Sequence, residues 1–330
     1  MTLLLAHMDR QNALLVSDRR LTSSANWQPV DDDATKTIWL PSRAAAFAYT
    51  GLVMIPCPVG EPYDQHPAVS GPSARPQLPA DVWFGVVAGE HLELPMPELL
   101  ATVGRALTTS LRRLLYRLPD RRLPSVTFIG VAWNNVTGSD AADVELGFQP
   151  VLWMLSNCHD ARLQPRPVSD SFVVTNVSIR QGSPWLRFGS KPVPQAVVRR
   201  ATGQLRKCYR RPAAADPAAV SSLMVDTVRQ AAMSDPTIGR GVLVTSIPRS
   251  AGEAMRDGGP ATLDTAAPTT AGASFQYLPK DGDKLFDIAP TVVAPGGVII
   301  EGFSVSGLQP DAHVISVAGM SDEEDRWEGD

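Results

Sequence analysis

Residues 2–18 read Thr2-Leu3-Leu4-Leu5-Ala6-His7-Met8-Asp9-Arg10-Gln11-Asn12-Ala13-Leu14-Leu15-Val16-Ser17-Asp18, two apolar runs divided by a polar turn. The pattern predicts a β-hairpin: Leu3 to Ala6 forms one strand, Asp9 to Asn12 supplies turn chemistry, and Ala13 to Val16 forms the second strand before a charged cluster. A strand that starts at residue 2 ties the beginning of the chain into a sheet, where a terminus is otherwise loose. A start held that firmly directs attention to the chemistry of residue 2.

Working outward, Lys36 to Leu40 and Ala44 to Tyr49, separated by Pro41-Ser42-Arg43, predict a second hairpin of strands buried on both faces. Between the hairpins lies a polar loop, Ser23 to Ala34, carrying Asp31-Asp32-Asp33. These adjacent carboxylates lack the alternating spacing and glycine of a calcium loop, so a solvated turn is expected. Residues 55–97 are broken by prolines and contain a single strand candidate, Val82 to Val87. Trp83 and Phe84 give this insertion something to pack, and its two readings are a lid over a cleft and a surface embellishment.

Pro97 opens a periodic helix with Leu99, Leu100, Val103, Leu107, Leu111, Leu114 and Leu115 on one face. Strands are expected at Val126–Trp133, Val144–Phe148, Val151–Ser156, Ser171–Val177 and Trp185–Phe188, helices at Pro194–Lys207 and from Asp216-Pro217 to Met233, and a strand at Gly241–Ile247. The expected organisation is a main domain at 1–250, a Gly/Ala/Thr/Pro-rich linker at 251–273, a β-rich extension at 274–320 and an acidic tail at 321–330. Because βαβ alternation is missing, the fold class is α+β rather than doubly wound. No GxGxxG or GxxxxGK[ST] occurs, which removes the usual support for nucleotide folds.

Composition narrows the function classes. A net charge of −4 leaves no electrostatic footprint for nucleic acid. The arginine pairs at Arg112-Arg113, Arg199-Arg200 and Arg210-Arg211 read as solvated helix faces. Three cysteines, Cys57, Cys158 and Cys208, form no CxxC pair and point to a reducing compartment, hence a cytoplasmic protein. No signal-peptide core or membrane-length apolar run is present, so no membrane is expected. The five histidines are scattered, with no HExxH; the adjacent Cys158-His159 reads as loop, and no GxSxG elbow occurs. No cofactor and no metal are expected.

Thr2, Asp18 in Ser-Asp-Arg-Arg-Leu-Thr, Lys36 in Thr-Lys-Thr-Ile-Trp-Leu and Gly51 closing Ala-Phe-Ala-Tyr-Thr-Gly together resemble the opening of a proteasome β-type subunit. That is the HslV-like, N-terminal-threonine branch of the N-terminal-nucleophile (Ntn) hydrolases. The Thr2-to-Asp18 spacing matches that pattern, Lys36 sits slightly later than usual, and the likeness thins around Phe188-Gly189-Ser190 and Ser234-Asp235. The resemblance implies a four-layer αββα sandwich of two antiparallel sheets between helical layers, a homo-oligomer, and a peptide or small-amide substrate.

It also implies the chemistry. An unblocked α-amino group, with a pKa of roughly 7.7–8.0, is a base held on the same residue as the Thr2 hydroxyl. Lys36 would lower that pKa and stabilise the alkoxide, with Asp18 fixing the lysine. The Gly51 N–H would receive the oxyanion, and Ser190 and Asp235 would support the amine and hydroxyl. Acyl transfer to Thr2 and hydrolysis of the ester complete the cycle, after removal of Met1. Two departures favour a catalytically silent scaffold or binding protein instead: Met1 precedes Thr2, and Ile238 stands where the family places a second serine.

Overall fold

The computed structural model describes residues 3–22, 29–31, 34–60, 63–65, 69, 76–115, 123–135, 148–178, 186–188, 194–208, 216–256, 273–282, 284–288, 290–293 and 299–300. In chain order the strands are β1 (Leu4–Met8), β2 (Asn12–Asp18), β3 (Leu21–Thr22), β4 (Pro29–Asp31), β5 (Thr37–Leu40), β6 (Ala45–Gly51), β7 (Met54–Pro56), β8 (Gln77–Pro79), β9 (Val126–Asn135), β10 (Phe148–Ser156), β11 (Val173–Ser178), β12 (Leu186–Phe188), β13 (Val242–Pro248), β14 (Ser274–Leu278), β15 (Phe286–Asp287), β16 (Thr291–Val293) and β17 (Ile299–Ile300). The helices are α1 (Ala80–Gly89), α2 (Met96–Leu115), α3 (Gln195–Cys208), α4 (Pro217–Ser234) and α5 (Arg249–Arg256). The fold class is α+β.

The first hairpin forms because its turn satisfies its own backbone: Asp9 Oδ1 accepts from the amides of Gln11 and Asn12, each at 2.8 Å. β1 and β2 then pair antiparallel from Met8 opposite Ala13 to Leu4 opposite Ser17. They lie inside a six-stranded sheet ordered β12-β1-β2-β13-β14-β15. A second sheet of seven strands runs β11-β10-β9-β6-β5-β16-β17. It is antiparallel except where β16 lies parallel to β5.

Alternation along the strands divides the interior into three cores. Leu4, Ala6 and Met8 of β1 meet Ala46 and Ala48 of β6 and Ile129 and Val131 of β9 in a core between the sheets. Leu3 and Leu5 point the other way, onto Leu205 of α3 and Val220, Met224 and Val228 of α4. Phe47 and Tyr49 of β6 face a third core with α1 and α2. Strands covered on both faces must be apolar throughout, which is why both hairpins read as near-continuous hydrophobic runs.

α1 corrects the expectation of a strand at Val82 to Val87. All ten of its residues are buried, so it shows no amphipathic stripe, and a short apolar run of this kind does not distinguish strand from buried helix. The lid reading falls with it. Trp83 and Phe84 are fully buried; Phe84 packs at ring-centroid distances of 5.3 Å from Phe47 and 5.0 Å from Phe128, and the Trp83 indole donates to the Pro56 carbonyl at 2.9 Å. These contacts lie on the helix-covered face of the seven-stranded sheet, away from β1.

The expected strand at Val151–Ser156 is found within β10, which opens at Phe148, while the rest of the expected strand at Val144–Phe148 lies outside the described residues. Residues 249–256, expected to run into a linker, form α5 instead. Beyond residue 273 the chain wraps back onto both sheets, β14 beside β13 and β16 beside β5. Thr291 Oγ1 fastens it by donating to the buried Asp81 Oδ2 at 2.7 Å. Thr291→Val removes that donor while keeping the shape, and its expected cost is about 1–3 kcal/mol, read from urea unfolding midpoints.

Candidate functional site

Asp18 ends β2 opposite the residue that precedes β1. The Leu3 amide donates to Asp18 Oδ2 at 2.6 Å, and the Asp18 amide returns a bond to the Leu3 carbonyl at 3.2 Å. Asp18 Oδ1 accepts from the Arg20 amide at 2.9 Å, from the Gly239 amide at 3.2 Å and from Lys36 Nζ at 3.3 Å. Lys36, immediately before β5, also donates to the Arg20 carbonyl at 2.6 Å. Both ionic side chains are completely buried. Burial pushes the Lys36 ammonium below the ordinary lysine range, and Asp18 opposes that through charge and hydrogen bond.

A neighbouring cation, Arg19, is held beside this pair. Arg19 donates to the Ala34 carbonyl at 3.2 Å and lies 4.2 Å from the Tyr277 ring centroid. The loop after α4 closes the site: Asp235 accepts from the amide and hydroxyl of Thr237, and two residues further on Gly239 reaches Asp18.

The structure thus joins two of the residues singled out from the sequence, Asp18 and Lys36, and brings the turn opened by Asp235 against them. Gly51 ends β6 opposite Val126 of β9. Because Thr37 pairs with Ala48, Gly51 lies at the same end of the seven-stranded sheet as Lys36. Thr2 and Ser190 lie outside the described residues, as do Asp32 and Asp33 of the acidic loop; Asp31 is exposed. Among the described residues no group of three or more His, Cys, Asp or Glu side chains is arranged to hold a metal ion. No helix among them is long and apolar enough to cross a membrane.

No family model and no curated protein matches the chain. Among solved structures, an Anbu (Gly-1) mutant from Hyphomicrobium sp. strain MC1 matches with a TM-score of 0.40 and 13% identity, covering 81% of this chain and 95% of that one. At that score the likeness carries no argument about activity. The resemblance drawn from residues 2–53 is corrected: no family model supports an HslV-like, proteasome β-type assignment, and the solved structure named above is an Anbu protein rather than an HslV-like one. The four motifs are short and of common residue types, so their register alone was too weak to fix a family.

Backbone partners of the pair were invisible in the sequence, the Leu3 and Arg20 amides among them. The Arg20 carbonyl and the Gly239 amide are backbone groups, and no residue-type pattern marks them. Gly239 itself carries a trace of the arrangement, because an added Cβ there would lie 2.8 Å from Arg20 Cβ.

Proposed function

We propose that the chain is an amide hydrolase with an N-terminal nucleophile, acting on peptide or small-amide substrates. The observation that carries this reading is the fully buried Asp18–Lys36 pair bonded to the Leu3 amide, the atom that covalently joins Leu3 to Thr2. Once Thr2 bears a free α-amino group, that amine takes the hydroxyl proton and the oxygen attacks the substrate carbonyl. Lys36 supplies positive charge beside the developing alkoxide, and Asp18 holds Lys36 in place. Gly51 is assigned the oxyanion, and Ser190 and Asp235 the support of the amine. The leaving amine departs with a proton from the α-ammonium, and water then cleaves the ester on Thr2. A four-layer αββα arrangement and a homo-oligomeric assembly belong to the same proposal; the three cores described above are in keeping with the former.

The test begins with intact mass, to establish a Thr2 terminus. Thr2→Ala is then expected to change stability by at most about 1 kcal/mol and to lower hydrolysis across a panel of peptide amides by on the order of 10³-fold or more. Retained turnover in that variant would remove Thr2 from the mechanism.

A second reading, a non-catalytic scaffold, is favoured by the loop after α4. Ile238 is buried in the core beneath α3 and α4, and the Thr237 hydroxyl donates to Asp235. Protein with a verified Thr2 terminus that hydrolyses nothing on the panel and takes up no threonine-directed electrophile supports the scaffold.

A further inference from the structure

The seven-stranded sheet ends in a row of hydroxyls: Thr50 of β6 is opposite Thr127 of β9, and Thr127 is opposite Ser156 of β10. Thr127 Oγ1 and Ser156 Oγ are 2.7 Å apart and buried. The chain leaves β10 through Asn157, whose side chain clamps it to the start of β9 by accepting from the Val126 amide at 2.8 Å and donating to the Pro124 carbonyl at 3.0 Å. The following loop is pinned as well, since the Arg166 amide donates to the Cys158 carbonyl and the Ser169 amide to the Asn157 carbonyl, each at 2.9 Å.

This fixed turn carries Cys158 and His159 to the hydroxyl row. Cys158 Sγ lies 3.3 Å from Thr127 Oγ1, 3.5 Å from Ser156 Oγ and 3.5 Å from His159 Nδ1. His159 Nδ1 is itself 3.0 Å from Ser156 Oγ. Both residues are partly exposed. His159 is the titratable side chain facing the sulfur; Thr127 and Ser156, from β9 and β10, are uncharged. The adjacent Asp160 carboxylate accepts from the amides of Arg162 and Gln164, and the Arg166 guanidinium donates to the Ser171 carbonyl.

We propose that Cys158, set against His159, Thr127 and Ser156, is the site at which this protein is oxidised by hydroperoxides. Burial alone would raise the thiol pKa, but the hydrogen bonds from His159, Thr127 and Ser156 and the charge of His159 outweigh it and lower the value to about 7. The thiol proton passes to the His159 imidazole. The thiolate attacks the terminal peroxide oxygen, the S–O bond forms as the O–O bond breaks, and the departing alkoxide or hydroxide takes up a proton. Sulfur loses two electrons to become a sulfenic acid, and the peroxide is reduced to alcohol or water. The site is independent of the reading given to Asp18 and Lys36.

The other two cysteines serve as internal controls. Cys57 is buried, which pushes its thiol up, and Cys208 is partly exposed at the end of α3. In native protein alkylated with iodoacetamide and mapped by mass spectrometry, Cys158 is expected to react first, with a rate that is half-maximal near pH 7 and levels off about a unit higher. In urea its advantage over Cys208 is expected to vanish. His159→Ala should slow Cys158 on the order of tenfold at pH 7 as its thiol returns towards an ordinary pKa of about 8.5. Hydrogen peroxide followed by dimedone should label Cys158. Native Cys208 reacting as fast as Cys158, a Cys158 rate still climbing beyond pH 8.5 in the wild type, or no dimedone adduct on Cys158 would each overturn the proposal.

Discussion

Asp18→Asn is expected to destabilise the protein by about 3–5 kcal/mol, because it leaves a fully buried ammonium without its carboxylate. The reverse change, Lys36→Met, should cost less. Asp18 keeps the amides of Leu3, Arg20 and Gly239 as donors when the lysine is gone, whereas Asp18→Asn takes from the buried ammonium the negative charge that offsets its own. The double variant should recover much of the loss, and the coupling between the two positions measures the pair itself. The pH dependence follows from the direction of the Lys36 shift. Its folded pKa is depressed, so the unfolded chain binds the proton more readily; stability should rise with pH from the lowered folded value up to the unfolded value of about 10.4, and fall as pH drops through that window. Removing Asp18 should extend this window to lower pH. Urea midpoints identical for Asp18→Asn and wild type would show that the buried charge is not held as described.

Gly51→Ala should be the more damaging single change. Gly51 has φ of +103°, and an added Cβ would lie 1.9 Å from the Ser125 carbonyl oxygen and 2.7 Å from its carbon. Both atoms are backbone, so no side chain can swing aside. Relief requires β6 and β9 to part, at the point where the Leu52 amide donates to that same carbonyl at 3.0 Å. The expected outcome is insoluble protein, or a loss exceeding about 4 kcal/mol. Gly60→Ala is the control: φ is +90° there, but nothing lies within 4 Å of the added atom. It should show the conformational strain alone, about 1–3 kcal/mol. Equal tolerance of both changes would show that steric contact at Gly51 is not decisive. Gly51→Ala is also a poor probe of oxyanion binding, because lost folding would mask lost chemistry.

Local patterns carried much of the architecture. The first two hairpins, α2 with its leucine stripe, and α4 with Asp216 accepting from the Ala218 amide at 3.1 Å ahead of Pro217, all follow from spacing and capping chemistry. At α1 the expectation of a strand fails, because a short segment buried all round has no period that separates helix from strand. Pairings distant in sequence were also hidden: nothing in Thr291-Val292-Val293 marks it as the parallel neighbour of β5. At the site, Asp18 and Lys36 were visible as residue types, while the amides and carbonyls that lock them were not. Cys158-His159 reads as loop and does follow the end of β10, but the sequence does not show that the turn sets the pair against Thr127 of β9 and Ser156 of β10.

The strand order has a consequence for how the protein is made. Val16 of β2 pairs with Val244, and Ile38 of β5 with Thr291, so one neighbour of each early hairpin is translated more than two hundred residues later. At ordinary synthesis rates roughly 10–50 s pass before those neighbours emerge from the ribosome. During that interval the apolar β2 and β5 present open edges, the arrangement that invites pairing with another nascent chain. The protein should therefore depend on chaperone cover during translation, and a ribosome stalled before residue 242 should yield an aggregate rather than a half-built sheet.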